Sequence, residues 1–163
     1  MMRLRPDQYA LLRHPAGWIA CGFGSGLSPV APGTAGSLAA LLPWLALREL
    51  PPAYYALALV SAFALGVWVC HWAVHALRIK DPASVVWDEF VGQWIALAPL
   101  LWLPRNWMWI FACFILFRIF DIWKPWPVSW ADRQIGGGLG VMLDDVFAGL
   151  YAAMVLGLLQ YWR

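Results

Sequence analysis

The sequence predicts an all-α fold: one small polytopic membrane bundle, residues 1–163, with four to five transmembrane or re-entrant helices. Three observations carry this reading. Hydrophobic residues make up 63% of the chain and charged residues 12%, roughly half the charge of about 25% usual in a globular domain. The 13 tryptophans suit a protein whose aromatic side chains sit at membrane interfaces. The apolar residues fall into runs near membrane length, broken by short charged, proline- or glycine-rich segments. A net charge of +2 without a basic run argues against a nucleic-acid partner. Cys21, Cys70 and Cys113 are far apart and odd in number, so they read as packed thiols rather than a disulfide or metal framework.

Taken in order, residues 1–15 read as a short amphipathic or irregular segment at the membrane surface. Arg3, Arg5, Asp7 and Arg13 leave no apolar core for a signal peptide. From Gly17 to Ser37 the density of Gly and Pro predicts an irregular or re-entrant stretch, tolerable at membrane depth only where protein or water satisfies its backbone. Ser37 to Leu47 gives a short first membrane helix, and Arg48-Glu49-Leu50-Pro51-Pro52 a turn. Ala53 to Leu77 is the longest apolar run, enough for a tilted span. Phe90 to Leu103 and Trp107 to Trp123 are the third and fourth runs. Lys124 to Gly140 is predicted as a polar, glycine-rich loop, and Val141 to Trp162 as the fifth helix.

Folding these segments back and forth puts the N-terminus, Arg78–Asp81 and Lys124–Gly140 on one side. Arg3, Arg5, Arg13, Arg78, Lys80, Lys124 and Arg133 then oppose Arg48, Arg105 and Arg163, which makes the first side cytoplasmic. Most acids follow the same side: Asp7, Asp81, Asp88, Glu89, Asp132, Asp144 and Asp145, with Asp121 one turn inside.

Four polar islands therefore converge on one membrane face. Arg118, Asp121 and Lys124 recur every three residues in an apolar run, forming a row along one side of a helix that Pro125 ends. Charges there are costly toward lipid and belong toward protein or water; a helix-end salt bridge with snorkelling side chains is the plainer alternative. Pro32-Gly33-Thr34-Ala35-Gly36-Ser37 opens a helix whose free amides and hydroxyls suit an anion, or in which Thr34 or Ser37 is an N-cap. Asp88-Glu89 opens another apolar helix, where acids are often only dipole partners. Asp144-Asp145 follows a run of glycines; residues adjacent on a helix diverge by about 100°, which predicts separate roles for the two acids.

Five carboxylates near lipid need cations to stay ionised. An all-oxygen set suits a hard ion such as Mg²⁺. Mg²⁺ with Arg, Lys and a hydroxyl-bearing glycine loop is equipment for phosphoryl chemistry. The rival is a small cation-coupled membrane transporter, although transport sites lie nearer the midplane; a structural membrane subunit is a third possibility. His71 and His75, spaced i, i+4, lack a third ligand and read as interfacial or packing residues, and His14 as a surface residue.

The motifs Gly24-Ser25-Gly26-Leu27-Ser28-Pro29, Pro32 to Ser37, Trp87-Asp88-Glu89-Phe90-Val91-Gly92, Phe117 to Pro127 and Gly137 to Val146 together resemble the phosphatidylglycerophosphatase A family. The resemblance covers roughly Gly24 to Gly149. It implies Mg²⁺-dependent hydrolysis of phosphatidylglycerophosphate, a lipid substrate, to phosphatidylglycerol and phosphate at the cytoplasmic face of a bacterial inner membrane. On that reading Asp88, Glu89, Asp121, Asp144 and Asp145 supply metal ligands, one of them acting as base. Arg118 and Lys124 clamp the phosphate with help from Thr34 and Ser37. Asp121, Asp144, Asp145, Arg118 and Lys124 form the catalytic set. A covalent carrier is not evident: Cys113 and Arg118 have four residues between them, one short of a cysteine-phosphatase loop, and Cys113 is mid-helix. The sequence leaves the oligomeric state open.

Overall fold

The computed structural model describes residues 6–102 and 106–162. Among them every regular element is helical. Helices α1 (Pro6–Leu12) and α2 (Pro15–Ala20) pack on the end of the bundle. Pro15 starts α2 without wasting an amide donor, and His14 Nδ1 accepts from the Ala16 amide at 3.1 Å while its ring stacks on Trp72. Of the charges used to assign a cytoplasmic side, Arg3, Arg5, Arg105 and Arg163 lie outside the described residues.

The stretch expected to be irregular is so in its first half and helical in its second. After α2, the 3₁₀ segment Gly22–Leu27 is kinked by left-handed Gly22, Phe23 and Gly24, whereas α3 (Pro32–Ala39) passes through Ala40 into α4 (Leu41–Leu47). The helix therefore opens at Pro32, five residues before Ser37, and neither Thr34 nor Ser37 is its N-cap; Ala31 is, in a left-handed conformation. Glycine breaks helices by propensity, but here it serves close packing. A Cβ on Gly36 would lie 2.7 Å from Val86 Cβ, and one on Gly33 would collide with Glu89.

Helix α5 (Pro52–Leu77) ends where Arg78 turns left-handed at φ 55°. Helix α6 (Trp87–Leu97) continues as 3₁₀ to Trp102, and α7 (Trp107–Trp123) is capped by Asn106, whose side chain accepts from the Met108 amide at 2.9 Å. The expected loop from Lys124 to Gly140 is instead largely helical: α8 (Val128–Gln134) occupies its middle, and α9 (Gly137–Tyr161) starts four residues before Val141. The glycines again report packing rather than flexibility. A Cβ on Gly138 would strike the Val67 carbonyl and lie 2.8 Å from His71 Cβ, so this end of α9 lies directly on α5.

Helix α9 is the centre, touching α5, α6, α7 and α8. It runs antiparallel to α5, since Gly138 meets Val67 and His71 while Met142 meets Gly66. It runs parallel to α6: a Cβ on Gly92 would lie 2.8 Å from the Asp145 carbonyl, and one on Gly149 would strike the Gly92 carbonyl. Polar side chains bolt α6 to its neighbours. Trp94 Nε1 donates to the Ala40 carbonyl at 2.8 Å, Tyr55 Oη to the Trp94 carbonyl at 2.6 Å, and Cys113 Sγ to the Ala96 carbonyl at 2.8 Å. All three cysteines are free and buried, as packed thiols should be.

Two helices, α5 and residues Gly137–Gln160 of α9, are long and apolar enough to cross a membrane. The outer surface carries large exposed apolar side chains on several helices, including Leu57 and Val60 on α5, Phe111 and Ile122 on α7, and Met154 and Leu158 on α9. So many exposed large apolar side chains suit a membrane-facing or docking surface.

The α6–α9 contact makes a direct prediction. Gly149→Ala should destabilise the protein by about 1–3 kcal/mol, because its methyl group has no room without separating the helices. Gly157→Ala, where nothing lies within 4 Å of the added carbon, should be neutral or slightly stabilising through helix propensity. Denaturant unfolding in one detergent compares the two.

Candidate active site

The parallel register of α6 and α9 brings two acid pairs to one end of the bundle. Asp88 and Glu89 occupy the first turn of α6. Asp144 and Asp145 lie two turns into α9, because that helix begins at Gly137. Carboxylate oxygens of Asp88, Glu89 and Asp145 fall within 4.8 Å of one another. Asp88 and Asp145 are buried, and Asp88 Oδ1, Glu89 Oε2 and Asp145 Oδ2 have no hydrogen-bond partner. Buried carboxylate oxygens facing one another without donors are costly unless a cation joins them. An all-oxygen set suits a hard divalent ion, so these residues fit Mg²⁺.

The row on α7 completes the site. Arg118 Nη1 lies 2.8 Å from Asp121 Oδ2 and 4.0 Å from Glu89 Oε1, and donates to Ser37 Oγ at 3.2 Å. Its Nε is buried without a partner, and Nη2 borders the space over Gly33. Lys124, left-handed at the end of α7, donates to Asp132 Oδ1 and Asp144 Oδ2, both at 2.8 Å. Burial alone would lower its pKa; the bonds to Asp132 and Asp144 outweigh that and raise it above the usual lysine value. A non-glycine residue at φ 48° is strained, of order 1 kcal/mol, and such strain persists where the surroundings hold the residue in place.

These groups surround a cavity of about 300 Å³. Asp88, Glu89, Arg118, Asp121, Lys124, Asp144 and Asp145 all line it, along with the backbone turn Ala31–Gly33 at the start of α3. Thr34 and Ser37 do not line it; Ser37 stands behind Arg118, accepting from its guanidinium and donating to the Gly33 carbonyl at 2.9 Å. Asp144 and Asp145 diverge as the helical geometry requires, one toward Lys124 and the other toward Asp88 and Glu89. Lys80, Asp81 and Asp132 also line the cavity and were not singled out from sequence. Their one sequence signal was their assignment to the same side of the bundle. His71 and His75 are exposed on α5 with rings 4.1 Å apart, and among the described residues no third ligand joins them.

Within 4.0 Å, Asp144 has Lys124 as its ion-pair partner among the described residues. Lys124→Met should therefore destabilise the fold by about 2–4 kcal/mol through an unpaired buried carboxylate. Asp132→Asn, at the more exposed end of the same lysine, should cost less than about 1 kcal/mol. Denaturant midpoints of the two variants give the comparison.

Residues 18–160 match the family model for phosphatidylglycerophosphatase A. The chain is 46% identical over 146 residues to phosphatidylglycerophosphatase A of Escherichia coli, covering 89% of this chain and 83% of that protein. It is 43% identical to phosphatidylglycerophosphatase A of Haemophilus influenzae over 163 residues, 99% of each chain. No solved structure matches it. The matched span contains every helix that lines the cavity, and the chain belongs to the phosphatidylglycerophosphatase A family.

Proposed function

We propose that the cavity removes the terminal phosphate of phosphatidylglycerophosphate, giving phosphatidylglycerol and inorganic phosphate, with Mg²⁺ as cofactor. The observation that carries the metal part is the charge balance. Three cations, Lys80, Arg118 and Lys124, face seven carboxylates: Asp81, Asp88, Glu89, Asp121, Asp132, Asp144 and Asp145. A formal excess of four negative charges repels a phosphate dianion, whereas one divalent ion halves the excess and two remove it. Held by Asp88, Glu89 and Asp145, Mg²⁺ would supply charge neutralisation and polarisation of the phosphoryl oxygens.

The chain's own groups supply the rest. Arg118 lines the cavity with its Nε unpartnered and Nη2 beside Gly33, while Asp121, Glu89 and Ser37 hold Nη1, and we assign its Nε and Nη2 to the phosphate. The paired fork matches two phosphate oxygens. Lys124 adds a second positive charge toward the departing phosphate. Of the two predicted catalytic acids outside the three-carboxylate cluster, Asp121 is tied to Arg118, while Asp144 gives one oxygen to Lys124 and leaves Oδ1 without a partner. Asp144 is therefore the base we assign to take a proton from the attacking water. Cys113 is buried against the Ala96 carbonyl and away from the cavity lining, which favours direct attack by water over a covalent thiol route. Ser37 acts behind the site by fixing Arg118, and Thr34 is left outside the cavity lining.

We further read the bundle as multi-pass, in the inner membrane, with the cavity facing the cytoplasm. The alternating directions of α5, α6, α7 and α9 support it, as does the gathering of Arg78, Lys80, Lys124 and Arg133 at the cavity end. A cation-coupled transporter fits less well, because the acids collect at one end rather than midway.

Phosphate release from phosphatidylglycerophosphate in detergent should require Mg²⁺, vanish with EDTA, and fall at least about a hundredfold in Asp121→Asn, where Arg118 loses its closest anchor. No release from folded wild type would discard the phosphatase reading; release indifferent to EDTA would discard the metal. A second readout avoids turnover altogether. Asp145→Asn should raise the thermal midpoint in EDTA by relieving carboxylate repulsion, and should lose most of the Mg²⁺-induced rise seen in wild type.

A further inference from the structure

Of the three cations in the cavity, two are already committed to carboxylates: Arg118 to Asp121 and Glu89, and Lys124 to Asp132 and Asp144. Lys80 differs. It lies on the segment joining α5 to α6, exposed and at the cavity edge, and its ammonium donates to the Asp132 carbonyl at 3.0 Å. Among the described residues no carboxylate lies within 4.0 Å of it. Asp132 thus holds two ammonium groups, Lys124 by its side chain and Lys80 by its backbone carbonyl.

A lipid dephosphorylated here carries two phosphates of different chemistry. The terminal monoester is the group that leaves. The phosphodiester, one glycerol away, joins the headgroup to the diacylglycerol and stays with the product. With the monoester against Arg118, Lys124 and the acid cluster, the diester must lie toward the mouth, where its single negative charge meets no other cation of the cavity lining. An ammonium held only by a neutral carbonyl can turn to a phosphate oxygen without abandoning a carboxylate.

We propose that Lys80 is a specificity-determining residue that binds the phosphodiester of the lipid substrate. The proposal rests on the phosphatidylglycerophosphate reading above. It goes beyond it by assigning a subsite that distinguishes this substrate from phosphomonoesters lacking a second phosphate.

Product inhibition separates the two subsites, because phosphatidylglycerol carries only the diester and inorganic phosphate only the monoester's chemistry. The test uses the full chain in mixed micelles, with Lys80→Gln and Lys80→Arg. Glutamine can still donate to the Asp132 carbonyl but lacks the charge; arginine restores the charge. In Lys80→Gln, KM for phosphatidylglycerophosphate and the competitive inhibition constant of phosphatidylglycerol should both rise about three- to tenfold. The inhibition constant of inorganic phosphate should stay within about twofold, and Lys80→Arg should recover most of the loss. Equal weakening of both inhibitors would make Lys80 a latch on α8 and overturn the proposal. So would unchanged inhibition by phosphatidylglycerol, or its absence in wild type. A folded wild type that releases no phosphate would overturn the underlying function, a result distinguishable from failure of the subsite alone.

Discussion

The close parallel approach of α6 to α9 is the constraint on which the rest depends. Gly92 and Gly149 leave no side chain between the two backbones, so the helices meet at van der Waals distance. Each glycine lies four residues after an acid, Asp88 on α6 and Asp145 on α9. One register therefore packs both glycines and, one turn away, sets both carboxylates side by side. Placing the acids and packing the helices are one event. The parallel direction matters equally. Two N-terminal ends then lie toward one end of the bundle, and the positive end of the α6 dipole lies at Asp88 and Glu89 in its first turn.

The second layer of the design is electrostatic. Groups this acidic cannot remain charged in an apolar bundle without compensation, and the chain compensates unequally. From the flank formed by α7 and α8, Arg118 and Lys124 pair with Asp121, Asp132 and, across to α9, Asp144, while Asp88, Glu89 and Asp145 keep unpartnered oxygens on the α6–α9 seam. That division separates a flank built by the protein from a seam that needs something more. Lys124 shows how firmly the flank is held. Pro125 follows it, α7 ends on it, and its backbone sits left-handed so that one ammonium reaches both α8 and α9.

Much of this was legible in the sequence. The low charge and long apolar runs announced a helical membrane-type bundle, and the three-residue rhythm of Arg118, Asp121 and Lys124 announced a helix face. Where the reading failed, the cause was glycine. Gly33, Gly36, Gly138 and Gly140 looked like breakers because propensity treats glycine as flexible. Whether a glycine bends a chain or admits a neighbour depends on what lies opposite, and that is a tertiary fact. The same limit hid Asp132, which sits on a short helix inside a presumed loop, and Lys80, which looked like an ordinary turn residue. Ser37 was noticed for its hydroxyl, correctly, but its partner proved to be Arg118 eighty-one residues away. No local pattern encodes a pairing of that length.

The helices differ in length in a way that reaches the lipid around them. Helix α5, at 26 residues, extends about 39 Å, whereas α7, at 17 residues, extends about 25 Å. The hydrocarbon layer is about 30 Å thick. In a bundle that crosses the membrane as proposed, α5 must lean, while the leaflets beside α7 must draw inward to keep its ends at their own depth. The thinned collar would lie next to the helix that carries Arg118 and Lys124. Hydrophobic mismatch there would bring headgroups down toward the cavity rather than require a lipid to rise out of its leaflet to meet it.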